Sequence, residues 1–223
     1  MIMTASRRVA LHAAIILTGI GLLALLAWAI RGEWLQGIDR ALLLSMRRAD
    51  LTPIGPPWLP YVARDITALG SNAVLGLITT LAAGFIALNG RFRLALLLFF
   101  TVTIGFLISS VLKDSFGRAR PDLVPWLVTP HGSSFPSGHA MESALTYLTL
   151  GTVLASTQRT RRMRIYSIVA AILLLLLVGV TRVYLGVHWA SDVLGGWIAG
   201  AWWTEICWLA VLRPATSRLP VRA

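Results

Sequence analysis

The sequence predicts an all-α integral membrane protein: six transmembrane helices in one bundle, with an interfacial helix or loop after the first span. Three observations lead there. Hydrophobic residues make up 57% of the 223 residues and charged residues only 13%, with mean hydropathy +0.75, too apolar for a soluble domain of this length. Six apolar runs, 9–30, 66–88, 94–112, 139–157, 165–181 and 193–212, each suit a hydrocarbon core roughly 30 Å thick. Lipid satisfies no open backbone group, so runs of this kind cross as helices. The third observation is an asymmetric distribution of arginine between the connecting loops.

Along the chain, Arg7 and Arg8 precede the first run, and Ala27-Trp28-Ala29 resembles a signal-peptide cleavage site. The apolar stretch is longer than a signal core, so it is expected to remain as a span, with His12 structural. Residues 31–65 form the largest piece outside the spans. Within it "IDRALLLSMRR" has a helical apolar face and "TPIGPPWLPY" reads as a Pro-rich loop. This segment is expected along the interface, as a connector anchored by Trp58 and Tyr61 or as a lid over a substrate. The second run is polar at Ser71 and Asn72, and the fourth carries His139 and Glu142. Gly196 and Gly200 in the last run permit close helix packing, within or between chains, and leave the oligomeric state open. Cys207 is the only cysteine, which excludes a disulfide framework and a cysteine metal site. No repeat or polar linker divides the chain, so 1–223 reads as a single domain.

Charge sets the expected orientation. With a cytoplasmic N-terminus, the inner segments hold Arg7, Arg8, Arg91, Arg93, Arg159, Arg161, Arg162, Arg164, Arg213, Arg218 and Arg222, with no acidic residue among them. The outer segments mix their basic residues with Glu33, Asp39, Asp50, Asp65, Asp114 and Asp122. The net charge of +11 is therefore read as topology and contact with anionic lipid rather than as a nucleic-acid surface.

Two outer connections, 113–138 and 182–192, are separated by two crossings and so share one face. The first opens with Lys113, Arg118, Arg120 and Pro121 and closes with "SSFPSGHAMES"; the second reads "TRVYLGVHWASD". Lys113, Arg120 and Arg182, with His139, His188 and Asp192 at helix ends, make an anion site. Lys113 is the only lysine, while the other 19 basic residues are arginine. A snorkelling residue has no need of that exception, whereas a site requiring a compact ammonium does. Arg120 and Arg182 suit bidentate phosphate contact, and Arg118 reads as a surface charge. Ser137 is placed to cap the fourth helix, and Gly138 lets a ligand approach the first-turn amides. His188 and Asp192, four apart, would share a helical face, the carboxylate holding one imidazole nitrogen and freeing the other. A metal pair is the rival reading, but no third ligand lies at a suitable spacing and the cations would repel a metal. His131 lacks a helix-end setting.

K-x6-R-P at Lys113 to Arg120-Pro121, P-S-G-H at Pro136 to His139, and R-x5-H-x3-D at Arg182, His188 and Asp192 resemble, in this order, the three signatures of the type-2 phosphatidic acid phosphatase superfamily, or lipid phosphate phosphatases. The likeness extends from about residue 64 to 200, taking in "RDITALGS" and "HWASDVLGGW". Thr181 stands where the third signature commonly has serine. The resemblance implies a phosphatase acting without metal or other cofactor. His188 would attack phosphorus, Asp192 would orient it, and His139 would protonate the leaving oxygen and then help activate water. Lys113, Arg120, Ser137, Gly138 and Arg182 would hold the phosphate. Glu142, one turn after His139, is assigned a role in substrate choice or proton handling. The implied substrate is a membrane lipid phosphate of the undecaprenyl pyrophosphate, phosphatidylglycerophosphate or phosphatidate class. The implied location is the inner membrane, with both termini cytoplasmic and the site on the outer side. A phosphotransferase using the same histidine, a carrier that binds anions without turnover, and a vanadate-dependent oxidase are the alternatives.

Overall fold

The computed structural model describes residues 5–209, all of whose regular elements are helical. The side chains of Arg7, Arg8 and His12, and the whole of 210–223 with Arg213, Arg218 and Arg222, lie outside the described residues.

Eight helices follow in order: α1 (Ala5–Arg31), α2 (Gln36–Ser45), α3 (Leu59–Ala68), α4 (Asn72–Leu88), α5 (Phe92–Phe116), α6 (Gly138–Thr157), α7 (Arg161–Tyr184) and α8 (Ala190–Cys207). Three are long and apolar enough to cross a membrane: Ala13–Arg31 within α1, α5 and α7. A fourth candidate is the pair α3 and α4, bent by 47°. Ser71 terminates the bend by capping α4, its hydroxyl accepting from the Val74 amide at 3.4 Å. The expected second span thus begins as a separate helix, and the Pro-rich stretch, read as loop throughout, becomes helical at Leu59, where Pro60 fits the first turn.

α6 and α8 are less apolar than these and pack at the centre. α6 lies against α7 and α8, α1 covers α8, and α4 packs on α5. The polar side chains of α6, including Glu142, Ser143, Thr146 and Thr149, are buried against neighbouring helices rather than offered to lipid. The α6–α8 seam is close. A Cβ added at Gly196 would lie 2.7 Å from the Ser137 carbonyl oxygen, and one at Gly200 2.4 Å from that of Met141. These glycines therefore serve contact within one chain. Three tryptophans of α8 tie the bundle together: Trp197 donates to the Leu175 carbonyl at 3.1 Å, Trp202 to Ile15 at 3.2 Å and Trp203 to Thr101 at 3.0 Å. Each indole satisfies its one donor while its ring fills space between helices. Outward-facing Phe85, Leu88, Leu107 and Tyr166 remain exposed, as a lipid-facing surface requires.

The two ends of the helix bundle differ. The last turn of α5, the first of α6, the last of α7 and the loop before α8 meet around one cavity. Arg91 and Thr157 meet beside another cavity, from the ends of α4 and α6 opposite to that site.

Candidate active site

The polar cavity, about 400 Å³, is lined by Lys113, Arg120, Arg182, Gly138, His139, Glu142 and His188, together with Asn72, Ser109, Ser110, Thr129, Pro130 and His131. Residues from sequence-distant connections converge as the two-crossing spacing predicts. Ser137 lies at the same helix start, and Asp192 sits fully buried behind His188.

Each ligand candidate is held differently. Lys113 belongs to the last turn of α5, which closes at Gly117 in the left-handed conformation with φ 60°. Its side chain passes over Gly132, where an added Cβ would meet Lys113 Cε at 3.4 Å. Its carbonyl accepts a short hydrogen bond from the Ser133 hydroxyl. Arg120 places all five N–H groups on protein atoms. Nε donates to the Gly132 carbonyl at 3.0 Å, Nη2 to His131 at 2.7 Å and Ser133 at 3.2 Å, and Nη1 to Val187 at 2.7 Å and to His188 Nε2 at 3.2 Å. Arg182 is 6% exposed; Nη1 donates to Thr67 Oγ1 at 3.1 Å, and Nε is buried without a partner.

Ser137 is the N-cap residue of α6 by backbone, but its hydroxyl makes no capping bond and is buried without a partner, contrary to the expected cap. Its carbonyl accepts from the Met141 amide at 2.9 Å, leaving the amides of the first turn without intrahelical acceptors. Buried orphan donors cost about 1–3 kcal/mol each, so Ser137 Oγ at the helix start, and Arg182 Nε on the wall shared with Lys113 and Arg120, are suited to an anion.

His188 and Asp192 meet, though not on one helical face. Trp189 is the extended N-cap of α8, and His188 precedes the helix. Asp192 turns back over the cap: Oδ2 accepts from the Trp189 amide at 2.9 Å and from Ser134 Oγ at 2.5 Å, and lies 3.6 Å from His188 Nδ1. That last separation is longer than a hydrogen bond, and Ser134 Oγ stands 3.5 Å from the same nitrogen. An arginine cannot accept a hydrogen bond, so the Arg120 contact requires a lone pair on His188 Nε2 and puts the proton on Nδ1, toward Asp192. Burial pushes the His188 imidazole down to about 4, against the upward pull of Asp192.

Arg118 is not the surface charge expected. Nη1 donates to Asp192 Oδ1 at 2.5 Å and to Ser191 Oγ at 2.8 Å, and Nη2 donates to Asp39 Oδ2 at 2.8 Å. Asp39 in turn accepts from the Ser191 amide at 2.8 Å and hydroxyl at 2.5 Å. Sequence reasoning missed Asp39, Ser134 and Ser191. One signal was present: Asp39 and Leu43, four apart on α2, are both buried, so an acid stands on that helix's packed face.

Glu142 is 5% exposed and lines the cavity beside Ser109. Among the described residues no three His, Cys, Asp or Glu side chains gather as metal ligands.

The sequence pattern of the PAP2 superfamily matches residues 94–214, more than half the chain and all three motifs. This chain belongs to the PAP2 superfamily. Its PAP2 relatives include phosphatidylglycerophosphatase B of Bacillus subtilis (strain 168), 36% identical over 179 residues, spanning 79% of this chain and 84% of that protein. Lipid A 1-phosphatase of Rhizobium johnstonii is 34% identical over 116 residues, 48% of this chain and 43% of that one. Among solved PAP2 structures, a transmembrane phosphatidylglycerolphosphate phosphatase from Bacillus subtilis superposes with a TM-score of 0.75 at 30% identity, covering 86% of this chain and 92% of that one. Aquifex aeolicus LpxE shares the fold, with a TM-score of 0.56 at 24% identity over 76% of this chain and 94% of that one.

Proposed function

We propose that this PAP2 protein is a membrane lipid phosphatase, hydrolysing a phosphomonoester or pyrophosphate through a phosphohistidine on His188. The observation that carries the reading is the contact of Arg120 Nη1 with His188 Nε2, which leaves that nitrogen unprotonated on the wall of a cationic cavity. As the Arg120 N–H turns from Nε2 to a phosphate oxygen and frees the lone pair, phosphorus binds Nε2, the bond to the leaving oxygen breaks, and His139 supplies that oxygen's proton. Water then attacks the phosphohistidine, giving its proton to His139, and inorganic phosphate leaves. Asp192 orients His188 and balances the imidazolium that forms.

Lys113, Arg182, Ser137 and the Gly138 amide hold the non-bridging oxygens. Arg120 passes the N–H that faces His188 to a phosphate oxygen, while its other donors hold the loop. Positioning and electrostatic stabilisation of this kind suffice for phosphoryl transfer, without a cofactor in the scheme. Glu142 adds a carboxylate to a cationic wall and discriminates among headgroups by charge.

Six crossings, α1, the α3–α4 pair, α5, α6, α7 and α8, in one membrane domain accord with the apolar outer faces and the buried polar residues of α6. The arginine-rich turns face the cytoplasm, which puts the site at the outer face of the inner membrane, open to a lipid whose tail stays in the bilayer. Relatives named for phosphatidylglycerophosphate, lipid A and undecaprenyl diphosphate support lipid phosphates as the substrate class.

The test is phosphate release from a panel of lipid phosphates and pyrophosphates in detergent with a chelator present. Wild type should turn over and yield labelled phosphohistidine on a rapid alkaline quench, His188→Ala should do neither, and His139→Ala should lose turnover. Full activity in His188→Ala would overturn the mechanism; transfer of label to a second lipid with little free phosphate would make the enzyme a transferase.

A further inference from the structure

Asp192 is the residue on which the aim of His188 depends, and its two oxygens are held from different directions. Oδ2 faces His188, the Trp189 amide and Ser134. Oδ1 takes its contact from Arg118, whose guanidinium forks to Asp39 on the far side. Asp39 belongs to α2, 152 residues before Ser191, and accepts from both the amide and the hydroxyl of that residue. A carboxylate from α2 thereby does for the first turn of α8 what a local N-cap side chain does elsewhere. The Arg118 guanidinium also lies over the Trp189 ring, 5.8 Å from its centroid, and the Trp189 indole donates to the Ala119 carbonyl at 3.1 Å.

Asp39 is 1% exposed and Asp192 not exposed at all. Two buried carboxylates on either side of one cation form a unit in which no member is spare: removal of Arg118 leaves both without their counter-charge. The unit touches neither the cavity-facing nitrogen of His188 nor the phosphate ligands Lys113 and Arg182.

We propose that Asp39 and Arg118 are positioning residues for the reaction, a relay through which the docking of α2 on the start of α8 sets the orientation of Asp192 and so of His188. The 31–65 segment is then part of the catalytic apparatus rather than a connector. This inference rests on the phosphatase reading above. It separates effects on turnover from effects on substrate capture, because neither Asp39 nor Arg118 lines the cavity that holds Lys113, Arg182 and His188.

The experiment measures kcat and KM for a lipid phosphate in detergent, with a chelator, for wild type, Arg118→Ala, Arg118→Lys, Asp39→Asn, the Asp39→Asn/Arg118→Ala double variant, and Arg40→Ala as an exposed α2 control. Misplacement of a reacting group by about 1 Å can reduce rate about 100-fold, so Arg118→Ala should lose kcat on that order while KM stays within about threefold. Arg118→Lys and Asp39→Asn should fall between, the double variant should lose little more than Arg118→Ala, and Arg40→Ala should match wild type. Wild-type kcat in the Arg118 and Asp39 variants would overturn the relay alone, with the phosphatase reading intact. Equal changes in kcat and KM, or losses confined to variants whose melting midpoint collapses, would reduce the cluster to a structural clamp and also overturn it. A wild-type protein that releases no phosphate overturns the phosphatase reading, and the relay with it.

Discussion

Arg120 Nη1 lies 3.2 Å from His188 Nε2 while the same guanidinium holds the carbonyls of His131, Gly132, Ser133 and Val187. One planar group thus braces the 131–133 loop against the turn before α8 and fixes the His188 ring. Lysine has three donors in no fixed plane and cannot do this. Arg120→Lys is expected to reduce kcat about 100-fold, the scale of about 3 kcal/mol of lost preorganisation, in steady-state phosphate release.

Lys113→Arg preserves charge but not shape. The lysine stem runs past Gly132, whose φ of +67° suits glycine and whose missing Cβ leaves it room. A guanidinium there is bulkier and planar, so kcat/KM should fall at least about 10-fold. Kinetics equal to wild type would return the lone lysine to chance.

His188 gives a signed pH dependence. Its folded value of about 4 lies below the ordinary histidine value of 6.5, so the unfolded chain takes up the proton first. The stability linked to His188 is present above pH 6.5 and is lost as pH falls toward 4, by about 3 kcal/mol in all. Between pH 7 and pH 4.5 the melting midpoint of wild type should therefore drop further than that of His188→Gln. Equal drops would refute the assignment.

The seam between α6 and α8 has no room for a methyl group at Gly200, where the nearest atom is a backbone oxygen that cannot turn aside. Gly200→Ala should lower stability by about 1–3 kcal/mol, read as a fall in melting midpoint in detergent. Gly21, whose added Cβ would meet nothing within 4 Å, provides the control at which alanine should be tolerated.

Glu142→Gln removes a carboxyl group, and the charge it carries when ionised, from a wall that carries Lys113, Arg120 and Arg182. Repulsive contacts discriminate among ligands as effectively as attractive ones. KM for lipid phosphates should fall, and the ratio of kcat/KM for pyrophosphate over monoester should rise, by about threefold or more. An unchanged substrate profile would leave Glu142 as a packing residue.

Much of the site was legible because its signals are local and periodic. Apolar run length marks α5 and α7, and helix count parity puts 113–138 and 182–192 on one face. Residue type at helix ends marks Lys113, His139 and Arg182. Boundaries shifted by a few residues where local chemistry intervened: α5 continues through Lys113 to Phe116, and Ser71 breaks the second run in two.

The sequence by itself determined an all-helical membrane chain, the face on which its cations gather and the order of its three motifs, because hydropathy and spacing along the chain encode these directly. Only the tertiary structure decided that Arg118 is bound between two carboxylates, that Ser137 leaves its hydroxyl unpaired, and that Asp39 caps a helix 152 residues away. Pairings at such separations leave no periodic trace. They arise from which helix faces meet, and that is set by packing of the whole bundle, in which α8's glycines permit the approach and its tryptophans fill the gaps between helices.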